Sequence, residues 1–151
     1  MTAITLPPAF PVVGFPLFAV FILNTWQQVL VSKARKESGV KYPTLYAPEA
    51  EAAADAKKMK FNCCQRAHAN TLENIPYVLA LFGFLSVFHP KIASAAMLTW
   101  IIGRVKYTAG YASGDPEKRI NAVYVISYIG LFTLVFGTLG VAVQKSYSVL
   151  F

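Results

Sequence analysis

The run Arg66-Ala67-His68-Ala69-Asn70-Thr71-Leu72-Glu73 sets two full charges, an amide and an imidazole inside a stretch that otherwise reads as a membrane-spanning helix. One charge at the centre of a bilayer helix costs roughly 2.5 to 3.5 kcal/mol on insertion scales, so a chain keeps several together only where they face an interior that uses them. With side chains advancing about 100° per residue, Arg66, Asn70 and Glu73 stand at i, i+4 and i+7 and form one polar stripe, the candidate active site. His68 points about 200° away from Arg66 on the same geometry. One small ligand touched by both therefore lies between subunits or beside a distorted helix. The first arrangement is the expectation, because a helical unit charged on two faces needs neighbours to cover them. A plainer alternative stays open, in which Arg66 and Glu73 are a structural ion pair that ties helices together.

Trp100, Arg104, Tyr107 and Tyr111 repeat the stripe pattern further along the chain. Four apolar segments are available to position the two stripes, at about 10–31, 61–88, 92–112 and 120–144. Each is long enough, at about 1.5 Å per residue, to cross roughly 30 Å of hydrocarbon. The first has no Lys or Arg before it and is interrupted by Pro11 and Pro16, so it is expected to stay as a helix and not to be removed as a signal peptide. The loop at 32–60 carries Lys33, Arg35, Lys36, Lys41, Lys57, Lys58 and Lys60 against Glu37, Glu49, Glu51 and Asp55. The turn between the third and fourth segments holds Asp115, Glu117, Lys118 and Arg119, whereas the middle turn has little beyond His89-Pro90-Lys91. The positive-inside bias puts the first and third loops in the cytosol. Arg66, Asn70, Glu73, Arg104, Tyr107 and Tyr111 then share the cytosolic half of the membrane, with Arg119 just above them.

Composition agrees with that setting. A mean hydropathy of +0.48 goes with 56% hydrophobic and only 14% charged residues among 151. That leaves too little polar surface to cover a soluble globule of this size. The formal charge of +7 comes from fourteen Lys and Arg that sit mainly beside apolar runs. This is the pattern of topology signals and anionic-lipid contact, and it argues against nucleic acid as a partner. Cys63 and Cys64 are adjacent and cannot form a disulfide framework. They read as buried thiols on a reducing side. The fold class expected is an all-α integral membrane protein, a single four-helix transmembrane domain over 1–151.

The run from Phe61 to Pro76 resembles the signature of the membrane-associated proteins in eicosanoid and glutathione metabolism, the MAPEG family. Further matches are Val31-Ser32-Lys33-Ala34-Arg35-Lys36, Phe88-His89-Pro90-Lys91-Ile92-Ala93-Ser94, Gly103-Arg104-Val105 with Tyr107 and Gly110-Tyr111, and Gly114-Asp115-Pro116-Glu117-Lys118-Arg119. Together they are most similar to the type 3 microsomal glutathione S-transferase branch, from about residue 20 to 140. The resemblance implies a homotrimer with glutathione, the co-substrate, held at subunit interfaces that open to cytosol and lipid. No metal is implied. It assigns Arg66, Asn70 and Glu73 to the γ-glutamyl end, with Tyr107 and Tyr111 beside them. Arg35 and His68 would reach the glycine carboxylate from the neighbouring subunit, and Arg119 would activate the thiol.

Those roles suit the chemistry. Glutathione carries two carboxylates and an amine, which call for planar cationic forks and a carboxylate, supplied by Arg66, Arg35 and Glu73. Making a cysteine-type thiol mostly thiolate at neutral pH needs a shift of about two units, worth roughly 2.7 kcal/mol. An arginine in a partly dehydrated pocket supplies that order of energy and stays charged throughout. Two departures bear on the transfer. Arg119 stands eight positions after Tyr111, whereas the leukotriene C synthase pattern has seven, where this chain has Lys118, so either is a candidate activator. Asn74 also follows the motif glutamate where that branch has tyrosine. Arg104 reads equally as a second site cation or as an ion-pair partner within the bundle. The expected activity is attack of activated glutathione on lipophilic electrophiles or lipid hydroperoxides in the endoplasmic reticulum or mitochondrial outer membrane. A non-catalytic, lipid-binding scaffold of the same family is the alternative.

Overall fold

A computed structural model describes residues 5–151, which are helical with connecting turns. A 3-10 turn, Phe10–Val13, leads into α1, Gly14–Ser38. Pro16 falls in the first turn of α1, where a missing N–H leaves no helical bond unmade. The helix continues seven residues past the expected end at 31, because nothing in Ser32–Ser38 breaks it. It stops at Gly39, whose φ of 70° is the left-handed conformation that glycine takes without strain. The Gly39 N–H donates back to the Arg35 carbonyl at 3.1 Å.

The polar connection contains a short helix, α2 (Glu49–Ala54), that the apolar pattern did not announce. Asp55 then caps α3 (Ala56–Phe88), its carboxylate accepting from the Lys57 N–H at 2.8 Å. At 33 residues α3 is roughly 50 Å long, well beyond the hydrocarbon thickness. His89 alone separates it from α4 (Pro90–Tyr111), which begins with proline at its first position. A turn at Gly114 (φ 89°) and a 3-10 segment, Pro116–Arg119, lead to α5 (Ala122–Leu150). The side chain of Asn121 caps α5 by accepting from the Tyr124 N–H at 3.0 Å.

Among the described residues three helical stretches are long and apolar enough to cross a membrane: Phe10–Ser38, Ala56–Phe88 and Ala122–Leu150. The expected fourth span, 92–112, is helical, but it is not in that set. Arg104 and Lys106, with Lys91 at its start, lower its mean hydropathy.

Leu23 of α1, Val78, Phe82 and Leu85 of α3, Met97 and Trp100 of α4, and Leu134 of α5 form a continuous core. Outward, Phe15, Phe18 and Phe21 of α1 and Phe132 and Phe136 of α5 are exposed, the reverse of a soluble surface. Small residues bring α4 and α5 together. A Cβ on Gly103 would stand 2.0 Å from the Ser127 Cβ, and one on Gly130 would stand 2.3 Å from the Ala96 carbonyl oxygen. Close backbone approach of this kind is how helices associate where no hydrophobic effect separates them from solvent.

Candidate functional site

The i, i+4, i+7 stripe of α3 forms as the spacing requires. Arg66 Nη1 donates to Glu73 Oε1 at 2.7 Å and Nη2 donates to Oε2 at 3.4 Å, a two-pronged pair. Asn70 Nδ2 lies 3.5 Å from Glu73 Oε2. Both charged side chains are about half exposed, 47% and 54%. Because Arg66 and Glu73 belong to one helix and face outward, their pair does not join helix to helix. The plainer alternative, an ion pair tying the bundle together, has no geometric basis here.

α4 supplies the second group. Arg104 is buried, 3% exposed, and is held by α3: Nη2 donates to Asn70 Oδ1 at 2.9 Å and to Thr71 Oγ1 at 2.8 Å. Among the described residues it makes no ion pair, so the reading of Arg104 as a bundle ion-pair partner gives way to one based on neutral acceptors. Its guanidinium carbon stands 4.2 Å from the centroid of the Tyr107 ring. Tyr107 is buried and packs edge-on against Tyr111, with ring centroids 5.3 Å apart, and against Tyr124 at 4.8 Å.

The 3-10 segment closes the row. The Arg119 guanidinium lies 5.7 Å from the Tyr111 ring centroid and donates to the Pro116 carbonyl at 2.6 Å. Its side chain is 30% exposed. Lys118, next to it, is 65% exposed and turned to Asp115 at 3.6 Å. Gly110 makes the fit possible, because its missing Cβ is the space that the Lys118 carbonyl occupies. Arg66, Glu73, Asn70, Arg104, Tyr107, Tyr111 and Arg119 thus form one connected row across α3, α4 and the turn before α5.

His68 and Arg35 are not in that row. His68 Nε2 is 2.8 Å from Asn24 Oδ1 of α1. Arg35 is 7% exposed and anchors its own loop, with Nη1 donating to the carbonyls of Thr44 at 2.7 Å and Val40 at 3.4 Å. Its guanidinium also packs over Tyr42 and Phe61, 4.2 and 4.5 Å from the ring centroids. Arg35 Nε is buried with no hydrogen-bond partner among the described residues. Within one chain, then, His68 turns to α1, away from Arg66 as the separation of about 200° demands, and Arg35 is held by its own loop.

One participant escaped the sequence reading. Gln27 of α1 is 1% exposed and donates to Thr71 Oγ1 at 2.8 Å and Thr108 Oγ1 at 2.7 Å. The signal was present in outline. Pro16, Val20, Leu23 and Gln27 follow each other at helical spacing on the buried face of α1, and an amide on such a face needs partners. A family model described as the MAPEG family matches residues 13–140.

Proposed function

This chain belongs to the MAPEG family, membrane proteins that include glutathione transferases as well as non-catalytic members, and on that premise we propose that it is a membrane-bound glutathione transferase with glutathione peroxidase capacity, of the type 3 microsomal kind. The observation that carries the reading is the connected row from Arg66 to Arg119. It offers a fork for a carboxylate, a carboxylate for an amine and a cation for a thiolate. Arg66 and Asn70 receive the α-carboxylate of the γ-glutamyl group and Glu73 its ammonium, displacing the Arg66–Glu73 pair from itself onto the ligand. Tyr107 and Tyr111 line the middle of the tripeptide.

Arg119 is the thiol activator in this reading, in preference to Lys118. Each cation has an acidic neighbour, Glu117 at 3.5 Å from Arg119 and Asp115 at 3.6 Å from Lys118, but Arg119 is the less exposed of the two and the one that stands over Tyr111. The thiolate then attacks carbon, forming a C–S bond as the leaving group departs or as an opening epoxide takes a proton. Alternatively it attacks the terminal hydroperoxide oxygen, breaking the O–O bond to give a glutathione sulfenic acid and an alkoxide, which takes a proton to leave as the alcohol. A second glutathione condenses with the sulfenic acid to disulfide and water.

The working unit is a homotrimer of four-helix transmembrane subunits in the endoplasmic reticulum or mitochondrial outer membrane. Two different outward polar stripes support it. Thr25, Gln28, Ser32 and Lys36 are exposed at helical spacing along α1, and Arg66 and Glu73 are exposed on α3. Unlike stripes match head to tail, the kind of contact that closes into a ring where the rotation between subunits is a third of a turn. His68 and Arg35 then belong to the ligand of the neighbouring subunit.

Isothermal titration of the detergent-solubilised protein with glutathione, followed by turnover with a chloronitrobenzene, leukotriene A and cumene hydroperoxide, tests the proposal. Saturable heat and glutathione-dependent turnover of at least one substrate are expected. Absence of both refutes it and favours a lipid-binding scaffold.

A further inference from the structure

Arg104 is a buried cation that bonds only to uncharged oxygens. Nη2 donates to Asn70 Oδ1 at 2.9 Å and to Thr71 Oγ1 at 2.8 Å, and Nε donates to Thr71 Oγ1 at 3.2 Å. Such a group is costly to keep, and removing a partner from a buried charge leaves a larger penalty than the bond itself. The surroundings fix it rather than neutralise it. Thr71 Oγ1 donates to the Ala67 carbonyl at 3.0 Å, so its lone pairs are left for Arg104 and for Gln27 Nε2. Gln27 is in turn tied to Thr108 on α4, and the Tyr107 ring covers the guanidinium from one side. Three helices therefore set the position of this fork.

The consequence falls on Asn70. A primary amide has an acceptor end and a donor end, and the two exchange by rotation of about 180° about one bond. Arg104 occupies the acceptor end with a charged donor, which leaves the Asn70 N–H groups turned to Glu73 and outward. We propose that Arg104 is a positioning residue that locks the Asn70 amide, so that the α3 stripe shows a ligand carboxylate donors only, from Arg66 and Asn70, and keeps Glu73 as the sole acceptor. This deepens the glutathione reading and rests on it. A site so arranged selects a zwitterionic α-amino acid terminus, carboxylate on one side and ammonium on the other. With Arg104 removed, Asn70 is free to present its carbonyl to the carboxylate, a repulsive contact in place of an attractive one.

The test is a double-mutant cycle read in glutathione Kd by titration calorimetry, with Tm recorded alongside. Arg104→Gln and Asn70→Ala each raise Kd about tenfold or more, the loss expected for a hydrogen bond to a charged group. The double variant is expected within about twofold of Asn70→Ala, because Arg104 acts through Asn70. A ligand with the γ-glutamyl α-carboxylate amidated, which offers Asn70 no anion to hold, should bind all four proteins equally poorly. Arg104→Lys, which keeps the buried charge but not the fork, covers the case of Arg104→Gln failing to fold. It should fold, weaken binding severalfold, and lose that effect in an Asn70→Ala background. Wild-type affinity in either Arg104 variant, or losses that simply multiply with Asn70→Ala, overturns the positioning role while the glutathione reading stands. Failure of the wild-type protein to bind glutathione overturns the parent reading, and this inference with it.

Discussion

Gly110→Ala probes the link between the fold and the thiol chemistry without touching a charged group. The methyl would stand 2.0 Å from the Lys118 carbonyl oxygen, 2.7 Å from its carbon and 3.2 Å from the Arg119 Cα. A carbon needs roughly 3.2 Å or more from a carbonyl oxygen, so the Pro116–Arg119 turn has to retreat by about 1 Å. No flexible side chain can absorb that movement, because the opposing atoms are backbone. Its near side is fixed too, since the Gly110 carbonyl accepts from Ser113 N at 3.2 Å and Ser113 Oγ at 2.7 Å. Arg119 travels with the turn, away from its place 5.7 Å from the Tyr111 ring. A misplacement of about 1 Å in a catalytic group costs up to about 100-fold. The variant is therefore expected to lose roughly 10- to 100-fold in kcat with a chloronitrobenzene. It should also lose the ultraviolet absorbance of bound thiolate and about 1 to 3 kcal/mol of stability from overpacking. Glutathione Kd should change less than about threefold, since Arg66, Asn70 and Glu73 are on α3 and out of reach of the shift. Wild-type kcat and thiolate absorbance in Gly110→Ala would refute the reasoning.

Arg119→Ala should reduce turnover far more than glutathione affinity, while Lys118→Ala leaves both near wild type. The reverse ranking in steady-state kinetics would move the activator role to Lys118. Arg66→Ala should raise glutathione Kd by about tenfold or more with a smaller effect on the turnover of saturated enzyme, read by calorimetry and kinetics together. Gly130→Ala, whose methyl would lie 2.3 Å from the Ala96 carbonyl oxygen, is expected to lower stability by about 1 to 3 kcal/mol in thermal unfolding and to leave Kd unchanged. Amidating the glycine carboxylate of glutathione should weaken binding to the wild type by about tenfold and have no further effect once both Arg35 and His68 are alanine. An amide that binds the wild type as tightly as glutathione counts against that pair.

The stripe on α3 was legible in the chain because helical periodicity is fixed and because charges in an apolar segment are too expensive to be incidental. Arg66, Asn70 and Glu73 needed no tertiary information to share a face, and neither did the separation of His68 from them. Element ends were less legible. Polar residues after Val31 suggest a loop, but a helix persists until something breaks it, and here that is Gly39. The short helix α2 has no apolar period to reveal it.

What only the folded chain decided concerns contacts between elements. Arg104 reads the same in sequence as an ion-pair partner or as a site cation. Its acceptors, Asn70 and Thr71, lie 34 and 33 positions away, and Gln27 joins them from a third helix. Adjacent Lys118 and Arg119 differ by one step in a 3-10 turn, and one step sends a side chain to solvent or over Tyr111. Sequence period fixes which residues share a helix face. The docking of one face against another depends on where glycines such as Gly103, Gly110 and Gly130 let backbones approach, and that is a property of the packed helices together.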